Sequence, residues 1–421
     1  MKLMLGRRMK VLLSGGFFHI FGANIVNKVV AFATNIVIVW FLAKDDYGVF
    51  SYANNIYSFM ALVTGFGLLT GMFQLCSERR PQAEKDAVLW YSFSRGVLID
   101  LILAFVFFVL GVTLVLPIEQ AGFYLAMLSP LLVMDYGFQF ASVALRSKRE
   151  NKKFAYLQTI NTVCYFAFGC LGAFAFGIAG TIAGRYIAYG ISLIASVGFL
   201  KLANSSLSSK FKLSASLKRD LWGYSIPTQL SSAINQMTFL LDVFLVGFFV
   251  AEASSVASYK VATMLPEGLL FIPSSLILFI MPYFIEHNQD RLWFSRYLKL
   301  FLFGGGLVYA AVTLILVVFA PSIIDLLWGA DYLDATIAFR ALAVCFFFSA
   351  LRTSCTNLLC AVRAVKSNLV VSMASLVANV ILCLFLIPRF GINGAAFAPL
   401  VVSIVAAIFA CFLLARRVRL M

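Results

Sequence analysis

Residues Asn24–Asn55 read NIVNKVVAFATNIVIVWFLAKDDYGVFSYANN. One apolar run holds Lys28 near its middle and ends in Lys44-Asp45-Asp46-Tyr47-Gly48, and a second apolar run begins at once. Wound as a helix at about 100° per residue, Asn24, Asn27, Lys28, Thr34 and Asn35 fall within roughly 120° of one face. An ionisable group at bilayer depth costs roughly 2.5–3.5 kcal/mol on insertion scales. Such a stripe is expected to face protein or a water-filled cavity rather than lipid.

The rest of the composition agrees with a bilayer environment. Of 421 residues, 62% are hydrophobic, and the mean hydropathy is +0.95. Soluble domains are nearer 45–50% apolar, so the chain reads as a membrane protein. The net charge of +15 sits in short loops between apolar runs. It is read as a topology signal and as contact with lipid headgroups, not as a nucleic-acid surface. The eight cysteines form no CxxC and fall almost wholly inside apolar runs, so they read as small packing residues. The opening MKLMLGRRMK imitates a signal peptide, but the run from about Gly15 to Leu42 is too long for one. It is read as an uncleaved first helix.

A span needs about 20 apolar residues. Twelve candidates follow: 15–42, 47–74, 89–116, 121–145, 154–176, 178–201, 221–249, 256–284, 297–320, 336–359, 369–388 and 393–415. The alternate loops test this count. Twenty-five Lys and Arg residues fall in one set, and only Lys44 and Arg389 in the other. Both termini and the basic loops are therefore expected in the cytoplasm. The chain also repeats itself. LRSKRENK at 145 aligns with LCAVRAVK at 359, and Phe176-Gly177-Ile178-Ala179-Gly180 aligns with Phe390-Gly391-Ile392-Asn393-Gly394, both 214 residues apart. VFSYA at 49 aligns with VASYK at 256. The expected fold is all-α and polytopic, with twelve transmembrane helices in two six-helix lobes of like orientation. The lobes would be 1–202 and 221–421, joined by a cytoplasmic linker at 203–220.

Several chemistries lack their motifs. There is no GxxxxGK[ST], no HExxH, and only His19 and His287 as histidines. No metal, no cofactor and no enzyme activity are expected. What remains is charge inside the spans: Lys28, Arg95, Arg185, Lys260, Arg340 and Arg352 against Asp100, Asp135, Asp242 and Glu267. Lys28, Asp135 and Glu267 lie near mid-span, as lumenal or coupling groups or as buried ion pairs. Arg95 near a span end is read as snorkelling. In the seventh span Ser225, Thr228, Gln229, Ser231, Ser232, Asn235, Gln236 and Asp242 fall within about 160° of one face. Asn35 aligns with Asp242 at the offset of VFSYA. Two related polar faces suggest a wet cavity lined by Asn24, Asn27, Asn35, Gln229, Asn235 and Gln236.

Two stretches carry a family resemblance. FLAKDDYGVFSYA at 41–53 and FGINGAAFAPLVVS at 390–403, with the size, the span count and the repeat, resemble bacterial polysaccharide exporters. These are the O-antigen and capsule flippases, cousins of the MATE multidrug transporters and of the peptidoglycan lipid flippase. The resemblance implies a MATE-like fold in the bacterial inner membrane. It implies as substrate a polyprenyl-pyrophosphate-linked oligosaccharide, moved from the cytoplasmic to the periplasmic leaflet by alternating access. Lys28, with Arg185, Lys260 or Arg352, would hold the pyrophosphate, and Asp242, Glu267 or Asp135 would serve coupling or ion pairing. Membrane lipids, a polysaccharide polymerase and a chain-length regulator are the implied partners. The alternative is a MATE-like cation-coupled drug antiporter.

Overall fold

The computed structural model describes residues 17–200, 213–287, 290–361 and 365–419. Among the described residues every regular element is a helix. In order they are α1 (Phe17–Phe41), α2 (Lys44–Ala61), a 3-10 turn (Thr64–Gly67), α3 (Leu68–Ser77), α4 (Gln82–Thr113), α5 (Ala121–Leu128), α6 (Leu131–Ser147) and α7 (Asn151–Leu200). There follow α8 (Ala215–Phe249), α9 (Ala253–Leu269), α10 (Phe271–Glu286), α11 (Arg291–Val318), α12 (Ala320–Trp328), a second 3-10 turn (Ala330–Ala335), α13 (Thr336–Ala361) and α14 (Val365–Arg419). In hydrocarbon a backbone must satisfy its own hydrogen bonds, which an apolar helix does within itself. Large apolar side chains face outward, with Phe105 69% and Phe303 75% exposed. Lipid rather than water covers such a surface, and the chain is a multi-pass membrane protein.

Among the described residues eight helices are long and apolar enough to cross a membrane, and the bent pair α5–α6 makes a ninth. Two of the eight are double. α7 folds back at Gly177 (φ 61°, ψ −136°), and α14 at Gly391 (φ 56°, ψ −133°). This left-handed region favours glycine, and the aligned FGIAG and FGING motifs supply one at each place. Three residues on, a side chain at Gly180 would collide with the Gly172 carbonyl, and one at Gly394 with the Leu386 carbonyl. The pairs 180/172 and 394/386 are again 214 apart, so the repeat is built into the backbone. With α8 as a further span, each of the twelve expected segments coincides with helix.

Two features differ from the expected layout. The second span is broken at Thr64–Gly67, where Gly65, Phe66 and Gly67 all have positive φ. A buried carboxylate holds the break open: Gly65 N donates to Asp100 Oδ1 at 2.8 Å. Residues 321–335, expected as an outer loop, fall in α12 and a 3-10 turn. Ala320, Ile324 and Trp328 recur every four residues and are buried, which is why this short segment coils.

The chain packs into two compact units, Met1–Ala233 and Ile234–Met421. The first part of α8 belongs to the first unit: Gln229 Nε2 donates to Leu62 O at 2.6 Å, and Trp222 Nε1 to the Tyr91 hydroxyl at 3.2 Å. Of the expected linker, residues 203–212 lie outside the described residues.

Candidate functional site

Each unit holds its own cavity, with polar side chains on its wall. In the first unit, α1, α2 and both halves of α7 bound a space of about 800 Å³, mouth included. Asn35, Asn54, Asn161, Tyr165, Arg185 and Tyr189 supply its polar wall. Arg185 is the centre. Its Nη1 donates to Asn54 Oδ1 at 2.8 Å, and its guanidinium carbon lies 4.9 Å from the Tyr57 ring centroid and 6.0 Å from that of Tyr189. Cation–π attraction acts at such distances. The Tyr189 hydroxyl donates to Asp135 Oδ1 at 2.9 Å, so the carboxylate is engaged by the phenol beside the cation. A guanidinium has five N–H donors, and the bond to Asn54 uses one of them. Amides and phenols around it offer the donors and acceptors that hydroxyl-rich groups require.

In the second unit a cavity of about 680 Å³, mouth included, is lined by Asp242, Tyr259, Glu267, Arg352, Asn379 and Ser403 among others. Asp242 Oδ1 accepts from Asn379 Nδ2 at 2.7 Å and from Cys383 Sγ at 3.5 Å. Arg352 Nε is buried and has no hydrogen-bond partner among the described residues. Glu267 reaches this cavity from the end of α9, just before the break at Leu270. Lys260 acts electrostatically on Glu267 from seven residues earlier, the same helix face about 10 Å away. Lys260 itself is not among the lining residues.

The other expected residues are placed as follows. Asn24 and Lys28 are exposed on α1, and Asn27 is half-buried, with Oδ1 unpartnered among the described residues. None of the three lines the Arg185 cavity, whereas Asn35 does. Lys28 is seven residues before Asn35, so it continues the same face about 10 Å further along. Gln229 grips the broken second span, as described above. Gln236 is exposed, and the Asn235 side chain lies outside the described residues.

Asn54, Asn161, Tyr189 and Asn379 escaped the sequence reading, as did the structural role of Asp100. A lone amide in an apolar run, such as Asn379 in SLVANVILC, was the available signal. The two cavities are also related residue by residue. At the 214-residue offset Asn161, Tyr165, Arg185, Ala188 and Tyr189 map to Ser375, Asn379, Pro399, Val402 and Ser403, and every one of the ten lines its own cavity. Asn35 and Asp242, paired at the VFSYA offset, do the same.

The profile of the family described as "Polysaccharide biosynthesis protein" matches residues 13–288. No curated protein matches the chain in sequence. Among solved structures, the lipid II flippase MurJ in an inward closed conformation aligns with TM-score 0.74 and 16% identity, covering 93% of this chain and 86% of its own. An inward-facing multidrug resistance MATE family transporter aligns with TM-score 0.75 and 13% identity, covering 93% and 94%. A MOP superfamily transporter from Pyrococcus furiosus aligns with TM-score 0.60 and 14% identity, covering 97% and 95%. At these identities the likeness is one of fold, and the MATE-like all-helical architecture is shared.

Proposed function

The chain belongs to the polysaccharide biosynthesis protein family, and from that premise we propose that it is a flippase for polyprenyl-pyrophosphate-linked oligosaccharide repeat units of O-antigen or capsule type. In this reading the cargo passes from the cytoplasmic to the periplasmic leaflet of a bacterial inner membrane by alternating access, with both termini cytoplasmic. The observation that carries the proposal is the Arg185 cavity. A fixed guanidinium with unused donors suits the oxygens of a diphosphate, and walls of amide and phenol suit a sugar. Arg185, with Lys28 further along the same α1 face as Asn35, takes the anion; Arg352 and Lys260 serve it in the second unit. Asn24, Asn27, Asn35, Gln229, Asn235 and Gln236 replace water around the sugar. Asp242, Glu267 and Asp135 act as coupling groups or ion-pair partners. No covalent bond is made or broken. A polysaccharide polymerase and a chain-length regulator are the partners that would use the delivered unit.

Outward movement of an anion from a negative interior is favoured, at about 2.3 kcal/mol per charge per 100 mV. Coupling to a proton or cation then serves the return step. The test is surface polysaccharide in a deletion strain carrying the wild-type chain or the Arg185→Ala variant at matched membrane abundance. Restoration by the wild type and failure of the variant is expected; equal restoration by both removes Arg185 from cargo binding. The second reading, a cation-coupled drug antiporter, is favoured by one observation, the acids Asp242 and Glu267 on the wall of the second cavity. It predicts export of cationic dyes by the same cells, and dye export without any effect on polysaccharide would replace the flippase proposal.

A further inference from the structure

A third cavity lies apart from both, at the turns joining α3 to α4 and α6 to α7. It measures about 850 Å³, mouth included, and is lined by Glu78, Arg79, Gln82, Lys85, Lys148 and Arg149 among others. Four cations thus meet one acid, and that acid is already engaged. Glu78 pairs with Arg80 at 2.9 Å and accepts from Gln74 at 3.2 Å, and the bond pushes the Arg80 guanidinium above its ordinary value.

The neighbouring acids are committed too. Glu84 lies 3.4 Å from Arg80, Asp86 accepts from Gln82 at 2.9 Å, and Glu150 pairs with Lys153 at 3.0 Å. Arg146 stacks over Phe73 and Phe154 at 5.0 and 5.4 Å. Among the described residues Arg79, Lys85, Lys148 and Arg149 have no carboxylate within ion-pair distance.

Arg149 adds a second, independent observation. Its φ is +59°. Arg149 N returns to Arg146 O and Glu150 N to Leu145 O, each at 2.9 Å. That six-to-one closure of a helix end is the place where glycine is the favoured residue. An arginine there carries a backbone cost and puts a guanidinium on the cavity wall. Orientation by basic loops accounts for how many cations a loop holds. It does not account for a concave set whose single acid is already engaged, or for arginine where glycine fits better.

We propose that this cavity is a phosphate-binding site, its ligand a phosphate group carried on an anionic lipid headgroup or free in solution. Arg79 and Arg149 offer planar forks that match phosphate oxygens in pairs, and Lys85 and Lys148 add point charges. A basic pocket at the end of membrane spans is where such headgroups are met. The site stands apart from the transport reading and holds whichever cargo the chain moves.

The test uses the purified full-length chain and three probes: nanodiscs containing cardiolipin, nanodiscs of phosphatidylcholine alone, and inorganic pyrophosphate in detergent. Arg149→Gly is informative because it removes the charge and relieves the backbone. Its melting temperature is expected to equal or exceed that of the wild type, while affinity falls about fivefold per charge removed. The double variant K148Q/R149G is expected to lose about 25-fold at the same per-charge loss. Loss of both cardiolipin and pyrophosphate binding supports a general phosphate site; loss of cardiolipin binding with no pyrophosphate binding in any form assigns the headgroup; loss of pyrophosphate binding alone assigns a free phosphate. The proposal is overturned if the wild type binds neither probe, or if the double variant binds both as the wild type does. Polysaccharide export by the double variant is read separately, so a failed site leaves the flippase proposal untouched.

Discussion

Replacing Arg185 by alanine removes three things at once. The 2.8 Å bond to Asn54 goes, a charged hydrogen bond of about 1.5–3 kcal/mol. The face contact with Tyr57 at 4.9 Å goes as well, about 0.5–2 kcal/mol. Third, Asp135 loses a cation that acts on it electrostatically; no ion pair among the described residues joins the two, so this cost stays below the about 3–5 kcal/mol of a broken buried pair. The single variant is therefore expected to melt well below the wild type, and its failure to export would be ambiguous. The double variant R185A/D135N resolves this. An asparagine at 135 still accepts from the Tyr189 hydroxyl, and no carboxylate is stranded. Part of the lost stability is expected to return, with a residual deficit of about 2–5 kcal/mol for the Asn54 bond and the stacking. Export is expected to stay at least about tenfold down, the effect of losing one charged hydrogen bond to the cargo. Thermal melts of purified protein and surface polysaccharide in a deletion strain read the two quantities separately. If the double variant regains both stability and export, Arg185 exists to neutralise Asp135 and the cargo argument fails.

Three further outcomes are expected. Asp100→Ala leaves the Gly65 amide without its buried acceptor and should cost about 1–3 kcal/mol, whereas Asp100→Asn keeps an acceptor and should melt closer to the wild type; identical melts for all three proteins would show that the broken second span does not need the carboxylate. Gly391→Ala and Gly177→Ala each force a side chain into a left-handed conformation and should each cost about 1–3 kcal/mol, which lower melting temperature and membrane yield would register and unchanged values would contradict. Asp242→Asn keeps the Oδ1 that accepts from Asn379, so abundance and melting should hold while export falls; full export would take Asp242 out of coupling.

The spans and the repeat were legible because both rest on local features. Hydropathy over about 20 residues marks a span, and FGIAG against FGING marks the paired reversals that Gly177 and Gly391 execute. The break in the second span was not legible. TGFG within an apolar run reads as ordinary small-residue packing, and only Asp100, 35 residues away, shows why it opens. The depth of the cavity along α1 is not legible either. A helical wheel gives the azimuth of Lys28 and Asn35 on α1 but not which turn meets a polar neighbour. That is decided by Arg185 and Asn54, 131 residues apart, a pairing no local pattern encodes. The hold of Asp242 on Asn379 and Cys383 spans 137 and 141 residues, which no local pattern encodes either.

The paired cavities separate what duplication preserved from what changed afterwards. Positions were kept: the aligned residues of both halves line a cavity in each unit, at offsets that also carry the glycine reversals. Charges were not kept. Arg185 faces its cavity where the second unit has Pro399, which has no donor to offer. Asn35 is neutral where Asp242 is acidic. Asp135 stands where the second unit has Ser349, another lining residue, while the guanidinium of the second unit comes from Arg352 on α13. Each unit thus places a guanidinium and at least one acid around its cavity, but on helices that do not correspond. Had the charges served only to neutralise one another within a common fold, the two halves could have retained a single arrangement. Their placement on different helices, within a preserved set of cavity positions, fits the proposed division of roles. It is consistent with an anion held around Arg185 and with a proton or cation exchanged around Asp242.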